Sequence, residues 1–263
     1  MVDWAGKTIL ITGASDGIGR GLVEQFDSRG ARQLILIGRD RTRLDQVAAA
    51  CQTETRIEEV DLADSDQLAH LMQRLAVVEI DVLINNAGVG LGGAFASHEQ
   101  DDRLQSMIKL NCDAVILLTR AVLPGMLERR RGSLLFVGSL AGWAGGPGLC
   151  AYSATKGFVN RFAEGLRWEL HGTGVAVSLL APGATRTSFF ETAGIDATDI
   201  RGGSMSSSEV ARLAILGLQK NRAIIVPGFQ NRILWMMQNL LPRSWVGWVS
   251  RKIGQPILDR ESA

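Results

Sequence analysis

Two side chains four positions apart, Tyr152 and Lys156, could do acid–base chemistry together. On a helix they share one face, one turn from each other. An ammonium beside a phenol favours the phenolate, whose proton otherwise leaves only near a pKa of about 10. Taken alone, Y-x-x-x-K is as consistent with a solvated helix face. Ser139 follows a short apolar run, Ser133 to Gly138, that reads as a strand. Ligands in open α/β sheets bind outside the carboxyl ends of strands, so its hydroxyl is placed to hydrogen-bond a substrate oxygen; a turn serine is the plain alternative. Asn111 interrupts an apolar helical pattern between Gln100 and Arg130. An asparagine there costs helix propensity and must satisfy its amide, so a buried structural role and a functional one stand level.

The elements that would position these groups are legible around them. A β-branched run, Thr8 to Ile11, leads into Thr12-Gly13-Ala14-Ser15-Asp16-Gly17-Ile18-Gly19, and an apolar helical pattern through Leu22, Val23 and Phe26 follows. Strand, glycine turn and helix form a phosphate site: the glycines admit the turn and the helix N-terminus offers amides and its dipole. Gly13, Ser15, Asp16, Gly17, Ile18 and Gly19 are therefore candidate pyrophosphate contacts. The second strand, Gln33 to Ile37, ends in Gly38-Arg39-Asp40. An acid here would hold the ribose 2′-OH of NAD; Gly38 takes that place and the Arg39 guanidinium suits a 2′-phosphate, which favours NADP over NAD. Asp16 and Asp40 oppose that preference. A third strand, Arg56 to Val60, ends at Asp61-Leu62. A fourth, Asp81 to Ile84, ends in Asn85-Asn86-Ala87-Gly88, small residues that let the backbone pass close to the adenosine side of a cofactor. A sixth strand, Val175 to Leu180, runs into Ala181-Pro182-Gly183-Ala184-Thr185-Arg186-Thr187, and Ala223 to Val226 is a seventh. Alternation at this pace implies parallel pairing with right-handed crossovers: an α/β, Rossmann-type doubly wound sheet of about seven strands in three layers.

The ordered set T-G-A-S-x-G-I-G, D-L, N-N-A-G and Y-x-x-x-K resembles the short-chain dehydrogenase/reductase family, from about Lys7 to about Thr187. The resemblance implies a catalytic set of Asn111, Ser139, Tyr152 and Lys156. It gives Asn111 a helix kink and a water in a proton relay, and Lys156 the nicotinamide ribose hydroxyls as well as the phenol. It also sets Thr187 and the backbone near Thr185, beside Pro182 and Gly183, against the nicotinamide carboxamide. The implied activity is NADP(H)-dependent interconversion of a carbonyl and an alcohol, with Tyr152 as acid and base and reduction as the expected direction. Two other classes remain open: a cofactor-binding sensor or scaffold without catalysis, and an epimerase or dehydratase that uses the same tyrosine. Relatives pair through the helices that hold Asn111 and Tyr152, so a homodimer or homotetramer is expected.

Composition bounds the rest. The chain has 263 residues, 46% apolar, with 30 glycines and 6 prolines, which suits one large domain. A formal net charge of +1 argues against nucleic acid as a partner. Cys51, Cys112 and Cys150, like His70, His98 and His171, show neither metal-ligand nor disulfide spacing, so no metal is expected and a reducing compartment is. Cys150 reads as a small wall residue of the site. No leader pattern opens the chain and no run of about 20 apolar residues is evident, so a soluble, cytoplasmic protein is expected. Ser188 to Ser208, small and polar after Phe189 and Phe190, reads as a substrate lid. The segment from 229 onward mixes Trp235, Leu240, Trp245 and Trp248 with Arg232, Arg243, Arg251 and Lys252. Such a mixture suits a pocket wall, a subunit contact or a membrane interface. Together with Phe189 and Phe190 it points to an apolar small-molecule substrate.

Overall fold

The computed structural model describes residues 3–96, 101–195 and 204–261. Strand and helix alternate as β1 (Thr8–Thr12), α1 (Gly17–Asp27), β2 (Gln33–Gly38), α2 (Arg41–Ala49), β3 (Glu54–Glu59), α3 (Ser65–Leu75) and β4 (Val82–Asn85). Then come α4 (Asp101–Ile108), α5 (Ala114–Glu128), β5 (Gly132–Val137), α6 (Cys150–Glu169) and β6 (Val175–Leu180). A short pair, β7 (Thr185–Arg186) and β8 (Met205–Ser206), flanks α7 (Phe189–Thr192); α8 (Ser207–Gln219), β9 (Ile224–Ile225), α9 (Phe229–Leu240) and α10 (Arg243–Glu261) complete the chain. Seven strands form one parallel sheet in the order β3-β2-β1-β4-β5-β6-β9. The chain leaves β1 towards one edge and returns through β4 towards the other, which opens a crevice at the ends of β1 and β4.

The central strands are apolar on both sides because helices cover both faces. In β1, Leu10 joins Ile35, Leu83 and Phe136 under α3, α5 and α6; its neighbours Ile9 and Ile11 join Leu34, Leu36 and Val137 under α1, α2 and α8. The period of two thus splits one buried run between two cores. Edge strand β3 is charged instead. Its Glu58 carboxylate is held by Arg56 and Arg74, at 2.8 Å from Arg74. Charge on an edge also discourages pairing with another chain.

Strand limits lie one or two residues from the expected ones: β3 starts at Glu54 and β9 is only Ile224–Ile225. The paired strands β7 and β8 were not foreseen, since two residues carry no periodicity. One helical stretch, Asp101–Glu128, is long and apolar enough to cross a membrane, contrary to the sequence expectation; half of its most apolar window is buried. In this fold α5 is a core helix, with Val115, Leu118 and Val122 against the sheet. Part of the expected lid, 196–203, and His98 lie outside the described residues.

Candidate active site

The phosphate end is built at the carboxyl ends of β1 and β4. Gly13 and Gly17 adopt φ of 63° and 54°, a left-handed conformation that glycine takes without strain. Asp16 caps α1, its Oδ1 accepting from the Gly17 amide at 2.6 Å. Thr12 Oγ1 accepts from the Asn86 and Ala87 amides at 3.0 and 2.9 Å, and Asn86 Nδ2 donates back to Thr12 O at 2.8 Å. The N-N-A-G segment therefore clamps the glycine turn. Gly19 stands behind the turn: a Cβ there would lie 2.0 Å from Gly13 O.

A cavity of about 740 Å³ runs from this turn to the carboxyl end of β5. Gly13, Ser15, Asp16, Gly17, Ile18, Arg39, Asp61, Leu62, Asn86, Ala87, Gly88, Ser139, Tyr152, Lys156, Pro182, Gly183, Thr185 and Thr187 all border it. Three expected site residues do not. Gly19 packs α1 against the turn, and Asn85 Nδ2 turns away to Thr119 Oγ1 at 3.1 Å. Asn111 lies one layer behind the wall. Sequence reading overlooked Arg43, which borders the cavity with Arg39. Its signal was available, since Arg39 and Arg43 flank the start of α2 four residues apart.

The carboxylates that opposed an anion here border the cavity but are engaged as helix caps. Asp40 caps α2 at the Arg43 amide, 2.9 Å, and pairs with Arg43 Nε at 3.2 Å. Asp16 caps α1 and accepts a second hydrogen bond from Ser188 Oγ. Helix-terminal amides for a pyrophosphate and two guanidiniums at the end of β2 make a lining that fits a dinucleotide with a 2′-phosphate.

At the other end, α6 presents Tyr152 and Lys156, 8% and 5% exposed, on one buried face. The Lys156 ammonium donates to Val137 O at 2.9 Å and lies 6.0 Å from the Tyr152 ring centroid. Gly88 makes room for it: a Cβ there would come within 3.1 Å of both Lys156 Nζ and Asn111 Oδ1. Asn111 sits in a π turn, Lys109–Asp113, between α4 and α5. Its side chain exchanges two hydrogen bonds with the Val89 backbone, 3.0 and 2.9 Å, and donates to Thr155 Oγ1 at 3.0 Å. The helix irregularity is thus present, and the amide ties the N-N-A-G segment to α6. Ser139 Oγ accepts from the Ala141 amide at 3.1 Å, and its hydroxyl also acts on the Tyr152 phenol. Asn160, one turn beyond Lys156 on α6, was also overlooked; it holds Ser139 O at 3.1 Å.

Electrostatics here differ from the simple pair. Burial pushes the Tyr152 phenol up to about 12, against a smaller opposing effect of the Ser139 hydroxyl. Burial thus outweighs the lowering expected from Lys156. Burial also brings Lys156 down to about 8, partly countered by Cys112. At neutral pH the site therefore holds a protonated phenol beside an ammonium. Below about pH 8 both folded and unfolded chains hold the lysine proton; between about 8 and 10.5 the unfolded chain binds more, so this group adds stability as pH rises. Lys156→Met removes that rise. Urea denaturation at pH 7.5 and pH 9.5 is expected to show the variant's advantage shrinking as pH increases, and an unchanged gap would contradict the burial account.

The far wall is mixed. Phe189 and Phe190 border the cavity, with the Phe189 ring 5.2 Å from that of Tyr152. The C-terminal helices supply Leu234, Asn231 and Gln238 from α9, and Ser250, Gly254 and Ile257 from α10. Arg243 Nη1 donates to Trp143 O at 2.8 Å, and Trp143 meets Trp235 edge-on at 6.2 Å. The described part of the expected lid is packed, with Ala193 O accepting from the Gly92 amide at 2.9 Å. Cys150 is exposed and outside the cavity wall, contrary to expectation.

The family model for short chain dehydrogenases matches residues 7–197. The chain belongs to the short-chain dehydrogenase family. Within it, an NADP-dependent 3-hydroxy acid dehydrogenase from Salmonella typhi is 34% identical over 208 residues, 77% of this chain and 82% of that protein. A short-chain dehydrogenase from Sphingobium yanoikuyae, solved in complex with NADPH, superposes with a TM-score of 0.82 at 34% identity, covering 89% of this chain and 92% of the other. A bulky-bulky ketone specific alcohol dehydrogenase from Comamonas testosteroni gives 0.74 at 30% identity, covering 89% and 93%. As a short-chain dehydrogenase the chain is an oxidoreductase. Its α9 and α10 lie beyond the matched residues, so the mixed wall they build is outside the segment that the family model matches.

Proposed function

We propose that this short-chain dehydrogenase reduces an apolar ketone or aldehyde to the alcohol with NADPH. The observation that carries this reading is the Tyr152 phenol, kept protonated by burial, beside the Ser139 hydroxyl on one cavity that Phe189, Phe190, Leu234 and Ile257 also border. A bound nicotinamide supplies the hydride. Ser139 Oγ donates to the substrate oxygen and polarises the carbonyl. Tyr152 then gives its phenolic proton to that oxygen. Lys156, one helix turn from Tyr152, offsets the charge left on the phenolate and also serves the ribose hydroxyls. Asn111 keeps α6 and the N-N-A-G segment in register for the relay that returns the proton. The NADP-dependent and NADPH-bound relatives and the bulky-ketone dehydrogenase support both cofactor and substrate class.

Burial keeps the Tyr152 phenol protonated at neutral pH, the form that can give a proton to a carbonyl oxygen. The reading sets that reaction in the cytoplasm, as a homodimer or homotetramer. Exposed Ile108, Leu117, Phe158 and Trp168 on α4, α5 and α6 offer the apolar surface for such pairing. The test is the initial rate of NADPH oxidation over ketones and aldehydes of graded bulk, with NADH alongside. Turnover that rises with apolar bulk is expected. Tight NADPH binding without turnover on any of them would instead favour a sensor or scaffold. Arg39→Ala is expected to weaken NADPH roughly ten- to hundredfold, the value of one charge-assisted hydrogen-bond set, and NADH hardly at all. Equal loss for both cofactors would remove Arg39 from the 2′-phosphate.

A further inference from the structure

The C-terminal helices have two faces, and only one is used by the cavity. On α9, Asn231, Leu234 and Gln238 face the cavity. Phe229, Ile233, Met236, Met237 and Leu240 are exposed, from 44% to 77%, at spacings of four, three, one and three that keep them on one other face. Pro242 follows α9, and α10 continues the exposed surface with Trp245 and Trp248, 66% and 61% exposed. These seven large side chains lie within 20 residues of chain, a cluster well beyond the scattered apolar residues of an ordinary surface.

Charge decides what the face fits. From Phe229 to Leu258 the chain carries Arg232, Arg243, Arg251 and Lys252 and not one carboxylate. Lys252 lies over the Trp248 ring at 3.9 Å, so a cation and an aromatic sit together at the surface. A two-fold copy of this face would set Arg251 and Lys252 beside Trp245 and Trp248, with carboxylates, Asp259 and Glu261, only in the last turn of α10. An anionic bilayer supplies both requirements, acyl chains for Trp, Met and Leu, and phosphates for Arg and Lys.

We infer that the α9–α10 pair is an interfacial membrane anchor, which lies on an anionic lipid surface through Phe229, Ile233, Met236, Leu240, Trp245 and Trp248. It does not span the bilayer. Its inner face remains a wall of the substrate cavity, so membrane contact and the apolar pocket are two sides of the same helices.

The test is flotation of the full chain with vesicles of mixed phosphatidylcholine and phosphatidylglycerol, against vesicles of phosphatidylcholine alone. Binding to the anionic vesicles is expected, falling as salt shortens the Debye length from about 10 Å at 0.1 M to about 3 Å at 1 M. A Trp245→Glu, Trp248→Glu double variant and an Arg251→Glu, Lys252→Glu double variant should each weaken it roughly tenfold or more. Circular dichroism confirms that each variant is folded. No flotation with either vesicle overturns the inference, as does flotation that both double variants leave unchanged. Self-association by light scattering that the tryptophan variant abolishes, with no vesicle binding, assigns the face to a second copy and also overturns it. Flotation is scored without turnover, so it stands or falls independently of the reductase reading.

Discussion

Tyr152→Phe is expected to lower kcat/KM for ketone reduction by about 10²–10⁴-fold, the usual contribution of a positioned acid. The substitution deletes one hydroxyl and keeps the ring that meets Phe189 at 5.2 Å, so the pocket shape survives. It also removes a buried phenol whose proton is held to about 12, without leaving a charge behind. Stability should therefore change little. Because the lost interaction forms only as the substrate oxygen gains charge, kcat and kcat/KM should fall together while KM stays near its original value. NADPH affinity, followed by fluorescence, should be retained. Residual activity within tenfold of the parent would mean that another group supplies the proton.

The second large effect is expected at a residue that touches no ligand. In Gly19→Ala the new methyl would lie 2.0 Å from Gly13 O and 2.6 Å from Asn86 Nδ2. Neither neighbour can step aside, since Gly13 is held in the turn and Asn86 is hydrogen-bonded to Thr12 O at 2.8 Å. The helix must retreat from the turn. Overpacking of this kind costs about 1–3 kcal/mol, and at this chain length each kcal/mol lowers Tm by roughly 2–4 °C. The same retreat withdraws the α1 amides from the phosphate site, so NADPH affinity should drop about tenfold or more. Gly165→Ala is the matched control: it lies exposed in α6 with nothing within 4 Å of the added methyl. It should be neutral or stabilising by up to ~1 kcal/mol, as alanine is the better helix former. If the two variants melted alike, the close approach of α1 to the turn would not be what Gly19 provides.

Much of this protein was open to reading before any coordinates. Buried parallel strands announce themselves as apolar runs, and glycine turns between a strand and a helix announce a phosphate site, because both depend on backbone geometry close in sequence. The parallel sheet of about seven strands follows from that local grammar, and the candidates Ser139, Tyr152 and Lys156 from the ordered motifs of the family. Arg39 was legible because its strand end was. Arg43 was missed because its value depends on how α2 leaves that strand, and Asn160 because a helix face acquires meaning only when its partner, here Ser139 O, is known.

Tertiary structure decided the rest. Asp16 and Asp40 looked like repulsive charges in sequence; in space both are helix caps with their own donors. Gly19 and Asn85 read as cofactor contacts in sequence; in space Gly19 packs against the turn and Asn85 bonds to Thr119 on α5. The Tyr152–Lys156 spacing suggests a charge that lowers the phenol's pKa, yet burial, which no spacing reveals, raises it. The C-terminal segment shows the limit most clearly. Its composition suits a pocket wall, a subunit contact or a membrane surface, and only the folded helices show it serving the cavity with one face while the other stays exposed. Sequence specifies which residues are neighbours along a strand or a helix turn. Which face of a helix meets the core, and how deeply a charge is buried, depends on contacts between residues far apart in the chain.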